Sequence, residues 1–264
     1  MVALVLLRSC LKEHVYVQPI EEIKIEYPLD LHDYDFSRLR FEDSFACYED
    51  EKYTSKVGID VSVHQKEIDW AKVKEAGIEF AFIRVGYRGY TEGIMHDDDY
   101  FEANIKGAKE NGIPVGIYYF SQAVTLEEAA EEAQYVIEHL EGYEIDLPVV
   151  FDMEEPDNGD HGRTMELSRQ QQTDIALEFL ALVERAGYTP MIYDSALLYE
   201  RDYDLQYLQG YRFWVADYSS RPKYPYVFDI WQYSSSGHVD GVEGRCDMDL
   251  MLIEKDPPEE EESD

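Results

Sequence analysis

Eight short apolar runs recur along this chain, and the early ones are separated by helix-forming stretches. The runs fall at 57–62, 80–85, 113–120, 147–151, 189–193, 213–216, 228–233 and 248–252. A compact run of apolar residues without polar alternation is what a strand buried on both faces requires. The stretches between the early runs carry another period. Ala129, Ala133, Val136, Ile137 and Leu140 recur three to four residues apart and share one face of a helix over 126–140. Helices are also expected over 97–111, with acidic residues in the first turn and Gly112 beyond the end, and over 165–186, closed by Gly187. Strand–helix alternation builds a parallel sheet covered by helices, and about eight strands close it. The expected fold class is therefore α/β, a modified (β/α) TIM-like barrel with eight strands. No long helix is legible between the last runs, so the C-terminal half should carry fewer helices. A length of 264 residues suits one such barrel.

The ends differ from the middle. Residues 1–55 are rich in Tyr, Asp and Glu, punctuated by proline, and show no sustained period. They read as an N-terminal extension or stalk before a barrel at 56–254. Residues 255–264 form an acidic tail after Pro257-Pro258, expected to be unstructured. The apolar run 2–7 is too short to cross a bilayer and has no charged start, and Arg8 spoils a lipoprotein-type cleavage site before Cys10. It reads either as the stump of a signal anchor or as a packed terminal segment. Cys10, Cys47 and Cys246 have no metal-ligand spacing, and an odd number leaves at least one thiol unpaired in the chain. A Cys10–Cys47 bridge stays open.

A formal charge of −34 repels phosphate backbones and anionic membrane surfaces, so neither nucleic acid nor a charged membrane is an expected partner.

In a β/α barrel the working side chains lie at the C-terminal ends of the strands. Those positions hold Asp60, Arg84, Tyr87, Tyr118, Asp152, Glu154, Tyr193, Trp214, Asp217 and Gln232, and Asp247 stands just before the eighth run. Asp152 and Glu154 are two residues apart, so an extended strand points both to one side. Adjacent anions repel, which raises the proton affinity of one, as a general acid needs. Tyrosine and tryptophan faces suit the apolar C–H faces of sugar rings. Paired carboxylates in an aromatic mouth therefore point to glycoside hydrolysis. Asp60, Asp152, Glu154 and Asp247 could also hold a hard cation, but His64 and His161 are poorly placed to assist, and no metal is expected. There is no glycine-rich phosphate loop, no Gly-x-Ser-x-Gly elbow and no plausible Cys–His pair. Singly, each feature has a plainer meaning. Asp-x-Glu is common in solvated loops, Asp60 could cap a turn, and Arg84, Asp217 and Gln232 could be internally satisfied polar groups.

In combination these residues resemble the family 25 glycoside hydrolases, bacterial and phage muramidases. The resemblance rests on Gly58-Ile59-Asp60-Val61-Ser62 with Gln65 and Ile68-Asp69-Trp70, and on Ala81-Phe82-Ile83-Arg84 with Gly86-Tyr87. It continues through Asn104-Ile105-Lys106-Gly107-Ala108, Gly112 to Ser121, Asp152-Met153-Glu154, Trp231-Gln232-Tyr233-Ser234 and Asp247. It implies Glu154 as general acid, Asp152 orienting or stabilising the reacting centre, and Asp60 and Asp247 completing a four-carboxylate site. Tyr118, Tyr193, Trp214, Gln232, Arg84, Tyr87 and Asp217 would contact substrate. The implied reaction is hydrolysis of the β-1,4 bond from N-acetylmuramic acid to N-acetylglucosamine in peptidoglycan, without cofactor, by a monomer secreted to the wall or tethered through its N-terminal region. A non-catalytic wall-binding barrel is the alternative; it should have lost one of the four carboxylates, and all are present. Two departures stand out: Lys66 where the family often has glycine, and Asp249 where asparagine is usual. Asp249 either raises a neighbour's proton affinity or is a solvated bystander.

Overall fold

A computed structural model describes residues 29–156 and 161–256. The run 2–7, Cys10 and most of the acidic tail lie outside them. A hairpin of β1 (Arg40–Glu42) and β2 (Phe45–Cys47) precedes the main sheet. Then follow β3 (Tyr53–Val61), α1 (Trp70–Glu75), β4 (Phe80–Arg88), β5 (Met95–Asp97), α2 (Phe101–Glu110), β6 (Val115–Phe120), α3 (Leu126–His139) and β7 (Val149–Asp152). The chain continues through α4 (Arg169–Arg185), β8 (Pro190–Ser195), α5 (Tyr199–Asp202), β9 (Arg212–Ala216), β10 (Ile230–Gly237) and β11 (Cys246–Glu254).

All eight apolar runs become barrel strands. The order is β3-β4-β6-β7-β8-β9-β10-β11, closed by pairing of β11 with β3. Seven strands are parallel; β11 runs antiparallel to both neighbours. The expectation of a parallel eighth strand is corrected by its connection. Only residues 238–245 join it to β10, fewer than the dozen or so that a parallel crossover needs. Among the described residues, 217–229 and 238–245 hold no α-helix, as the missing helical pattern implied.

Alternation along the strands divides the apolar residues into two cores. Ile59, Val61, Ala81, Ile83 and Val85 face outward to the helices, where α2, α3 and α4 bury Ile105, Ala133, Val136, Phe179 and Leu180. Phe80, Phe82, Tyr118, Val150, Met191, Tyr193, Trp214 and Ile230 fill the barrel itself. Phe82 and Trp214 have ring centroids 4.7 Å apart. Gly58 and Gly116 make room for this filling: a Cβ would stand 2.4 Å from the Phe80 ring and 2.2 Å from the Phe82 ring. The barrel is thus plugged by aromatics, and the polar residues further along the same strands stand on an apolar floor.

Helix starts follow their caps. Ser168 and Gln171 form a reciprocal capping box, so α4 begins at Arg169 and not at 165. α2 begins at Phe101, because Asp98, read as a first-turn acid, is turned inward.

Residues 29–52 pack on the barrel. Tyr34 is buried among Phe36, Tyr48, Tyr53 and Phe228 and donates to the Phe228 carbonyl at 2.6 Å. The Ala46 amide donates to the Tyr233 hydroxyl at 3.3 Å. β3 begins at Tyr53, inside the segment read as extension, since residues 53–55 complete the ladder with β11. Among the described residues Cys47 and Cys246 form no disulfide, and Cys10, the other half of the bridge left open, lies outside them. Among the described residues no helix is long and apolar enough to cross a membrane.

Lys66 adopts φ 56° and ψ −136°, directly after a 3-10 turn at Val63–Gln65. This conformation favours glycine. Lys66→Gly is therefore expected to raise stability by about 1 kcal/mol, the relief of one strained backbone residue. A thermal melt checks it, and an unchanged or lower melting temperature would contradict the strain.

Candidate active site

At the C-terminal end of the parallel strands the barrel opens into a cleft of about 550 Å³. Asp60, Asp152, Glu154 and Asp247 line it together with Arg84, Tyr87, Tyr118, Tyr193, Trp214 and Gln232. The inverted closing strand explains why Asp247 belongs there: its start, not its end, reaches the mouth. Asp247 stands opposite Asp60 in the β3–β11 ladder.

Asp152 ends β7 and is buried, and its Oδ1 has no hydrogen-bond partner among the described residues. Burial pushes its carboxyl well above the usual range, and the neighbouring Glu154 charge adds to this. Two residues on, Glu154 has left the strand and is exposed to the cleft. Its backbone is tied down by Gln122, whose Nε2 donates to the Glu154 carbonyl at 2.7 Å. The buried member of the pair thus resists ionisation, and the accessible member can reach a substrate.

Asp60 is raised by burial first, then by the charges of Asp247 and Asp249. Burial pushes Asp247 up to about 6. Gln232 orients Asp60: its Nε2 donates to Asp60 Oδ2 at 2.7 Å, while its Oε1 accepts from the hydroxyls of Tyr193 at 2.9 Å and Tyr218 at 2.7 Å. With its oxygen filled by two donors, the amide can present only N–H to Asp60.

Arg84 is held by Asp98, whose Oδ2 accepts from both Nε and Nη2 at 2.9 Å. Its guanidinium lies 5.1 Å from the centre of the Tyr87 ring, so the cation enters the cleft pre-positioned. Trp214 is almost wholly buried and forms floor more than wall.

Asp217 is not brought into the cleft lining, which corrects its expected place among the substrate contacts. Its carboxylate oxygens accept the amides of Ser219 and Lys223, both at 2.9 Å, and its carbonyl accepts Trp231 Nε1 at 2.7 Å. It shapes the loop after β9. The adjacent Tyr218 lines the cleft instead, as do Tyr90 and His64. An aromatic one or two residues past a strand end was the available signal for Tyr218 and Tyr90. Asp98 gave none, because nothing local marks an acid as buried, and Asp249 was marked only as a departure from the family pattern. Among the described residues no cluster of three or more His, Cys, Asp or Glu is arranged to hold a metal ion.

The sequence pattern of the glycosyl hydrolases family 25 matches residues 59–242. A protein of Escherichia coli O6:H1, YegX, is 35% identical over 217 residues, covering 79% of this chain and 73% of its own. Lysozyme M1 of Streptomyces globisporus is 32% identical over 201 residues, covering 72% of this chain and 65% of its own. The crystal structure of a bacterial lysozyme from Streptomyces coelicolor superposes with a TM-score of 0.59 at 29% identity, covering 74% of this chain and 90% of its own. With its closed eight-stranded barrel and its carboxylates gathered at the mouth, this chain belongs to glycosyl hydrolase family 25.

Proposed function

We propose that the barrel is a peptidoglycan muramidase, hydrolysing the β-1,4 bond from N-acetylmuramic acid to N-acetylglucosamine. The observation that carries this reading is the pair Asp152 and Glu154, one buried and one exposed, at the mouth of an aromatic cleft that also holds Asp60 and Asp247. The likeness to lysozymes supports it.

The roles follow from position. Glu154 is the carboxyl exposed to the cleft, and it protonates the leaving glycosidic oxygen. Asp152 stands behind it with a raised pKa, so the pair keeps a proton above the ordinary carboxylate range. Asp152 also stabilises the reacting centre through the substrate's own acetamido group. Asp60, oriented by Gln232, and Asp247 complete the negative rim against which positive charge on the sugar ring develops. Tyr118 and Tyr193 offer faces to the sugar, over the Trp214 floor. Arg84 and Tyr87 hold polar substituents. The enzyme acts as a monomer at the cell wall, secreted or tethered through its N-terminal region.

Product analysis of digested peptidoglycan by mass spectrometry tests the reading. Muropeptides ending in reducing N-acetylmuramic acid are expected. Reducing N-acetylglucosamine would move the cleaved bond, and an absence of products beside an active control muramidase would sink the assignment.

A further inference from the structure

Asp249 is a barrel-interior carboxyl that the proposed chemistry leaves without a task. It lies on β11 two residues below Asp247, fully buried, opposite Gly58 on β3 and Gln232 on β10. Its Oδ1 accepts from Trp214 Nε1 at 2.9 Å. Its Oδ2 is buried and meets no donor among the described residues. The Asp60 carboxyl neighbours Asp249: Asp60 stands two residues along β3 from the Gly58 opposite Asp249, on the same face and within hydrogen-bonding reach of it, and Asp60 Oδ2 already accepts from Gln232. An ionised carboxylate only accepts, so two carboxyls in contact bond to each other only when one carries a proton.

The surroundings favour that proton. Asp60 faces Asp249 from β3, Asp247 and Cys246 from β11, and Tyr233 from β10, with the Trp214 indole approaching from β9. None of these described groups is a cation. Arg84, the guanidinium at the mouth, is already bound to Asp98. A fully ionised trio of Asp60, Asp247 and Asp249 would place three anions in a buried space without a counter-charge.

We propose that Asp249 and Asp60 hold one proton between them, which makes Asp249 a positioning residue for Asp60. The pair then carries a single negative charge, and its geometry is fixed from both sides. Tyr193 and Tyr218 act through Gln232 on Asp60, and Trp214 acts on Asp249. Burial and the neighbouring charges, which push both carboxyls well above the usual range, agree with this. The catalytic consequence rests on the muramidase reading; the pair itself rests on the geometry.

Infrared difference spectroscopy on the folded protein at about pH 6, wild type minus D249N and wild type minus D60N, tests the pair without any need for turnover. Both spectra are expected to contain the carbonyl stretch of a protonated carboxyl. Its absence from the D249N difference overturns the proposal. Kinetics test the positioning. The amide of D249N offers Asp60 an N–H and Trp214 a carbonyl, so its turnover is expected within about threefold of wild type. The acid limb of its pH profile should move to lower pH, because one coupled ionisation is gone. D249L keeps the volume but neither bond, and should lose about tenfold or more in kcat, the worth of a lost hydrogen bond, with little change in KM. Equal losses in both variants, or a D249L profile identical to wild type, would overturn the role. If D249L fails to fold, the spectra and D249N decide. Wild type without turnover would sink the muramidase reading and leave the infrared test of the pair intact.

Discussion

Glu154→Gln is expected to cut muramidase turnover by about 10²–10⁴-fold, the usual contribution of a general acid, while the protein keeps its fold. The amide matches the carboxyl in shape and cannot give up a proton to the leaving oxygen. Because Glu154 is exposed, and the amide can still hydrogen-bond the buried Asp152 carboxyl beside it, the melting temperature should barely move. Release of reducing ends from peptidoglycan, read beside a thermal melt, separates lost chemistry from lost structure. Wild-type turnover in this variant would end the assignment of Glu154 as the acid. Asp152→Asn should also be severely impaired, for another reason: it removes the buried carboxyl that keeps a proton in the pair.

Stability should fall as pH rises from about 5 to about 8, the reverse of ordinary acid unfolding. Burial pushes Glu132 up to about 7, although Arg88 and Ser121 bind it at 2.7 and 2.6 Å. Asp247 is pushed up to about 6, and Asp60, Asp152, Asp194 and Asp249 are raised as well, all chiefly by burial. Each group binds its proton more tightly folded than unfolded. Its stabilising effect is complete below the unfolded pKa and is lost as pH climbs through the folded one. Counting about two pH units for Glu132 and one for Asp247, the loss is on the order of 4 kcal/mol, or about 8 °C or more in melting temperature. Deprotonation also adds to the self-repulsion of a chain already at −34. At the acid end, the Lys72 and Lys52 ammoniums hold Asp69 and Asp33 below the usual range, so their contribution is lost only at lower pH. Melts at constant ionic strength decide this. A melting temperature that rises from about pH 5 to pH 8 would refute it, and Glu132→Gln should flatten the upper part of the decline.

What was legible in the residues follows from range. The strands could be read because a doubly buried strand writes itself as an apolar run. The direction of β11 could not, since such a run looks the same either way, and only the shortness of 238–245 hinted at the reversal. Asp152 and Glu154 were found by local spacing. Asp60 and Asp247 meet only because the barrel closes, a contact between distant parts of the chain that no period reports; their places beside strand ends put both at the mouth, and the family resemblance joined them in one site. Asp217 and Tyr218 show the limit at a strand end. One residue of offset decides which side chain turns into the cleft, and hydrogen bonding within the loop settles it. Asp249 is no solvated bystander, a distinction that depends on a Trp214 far off in sequence.

The inverted strand has a consequence for how the enzyme could be carried. Because β11 starts at the mouth, it delivers the chain to the opposite pole, where the Lys255 amide binds the Lys52 carbonyl and the Lys255 ammonium binds Glu49. Leu29 sits at that same pole, beside Phe213 and Asp229. Both ends of the described barrel therefore emerge on the side away from the cleft. Anything fused to either end, whether a leash, a wall anchor or an affinity handle on a bead, would grip the enzyme from behind and leave its mouth facing outward.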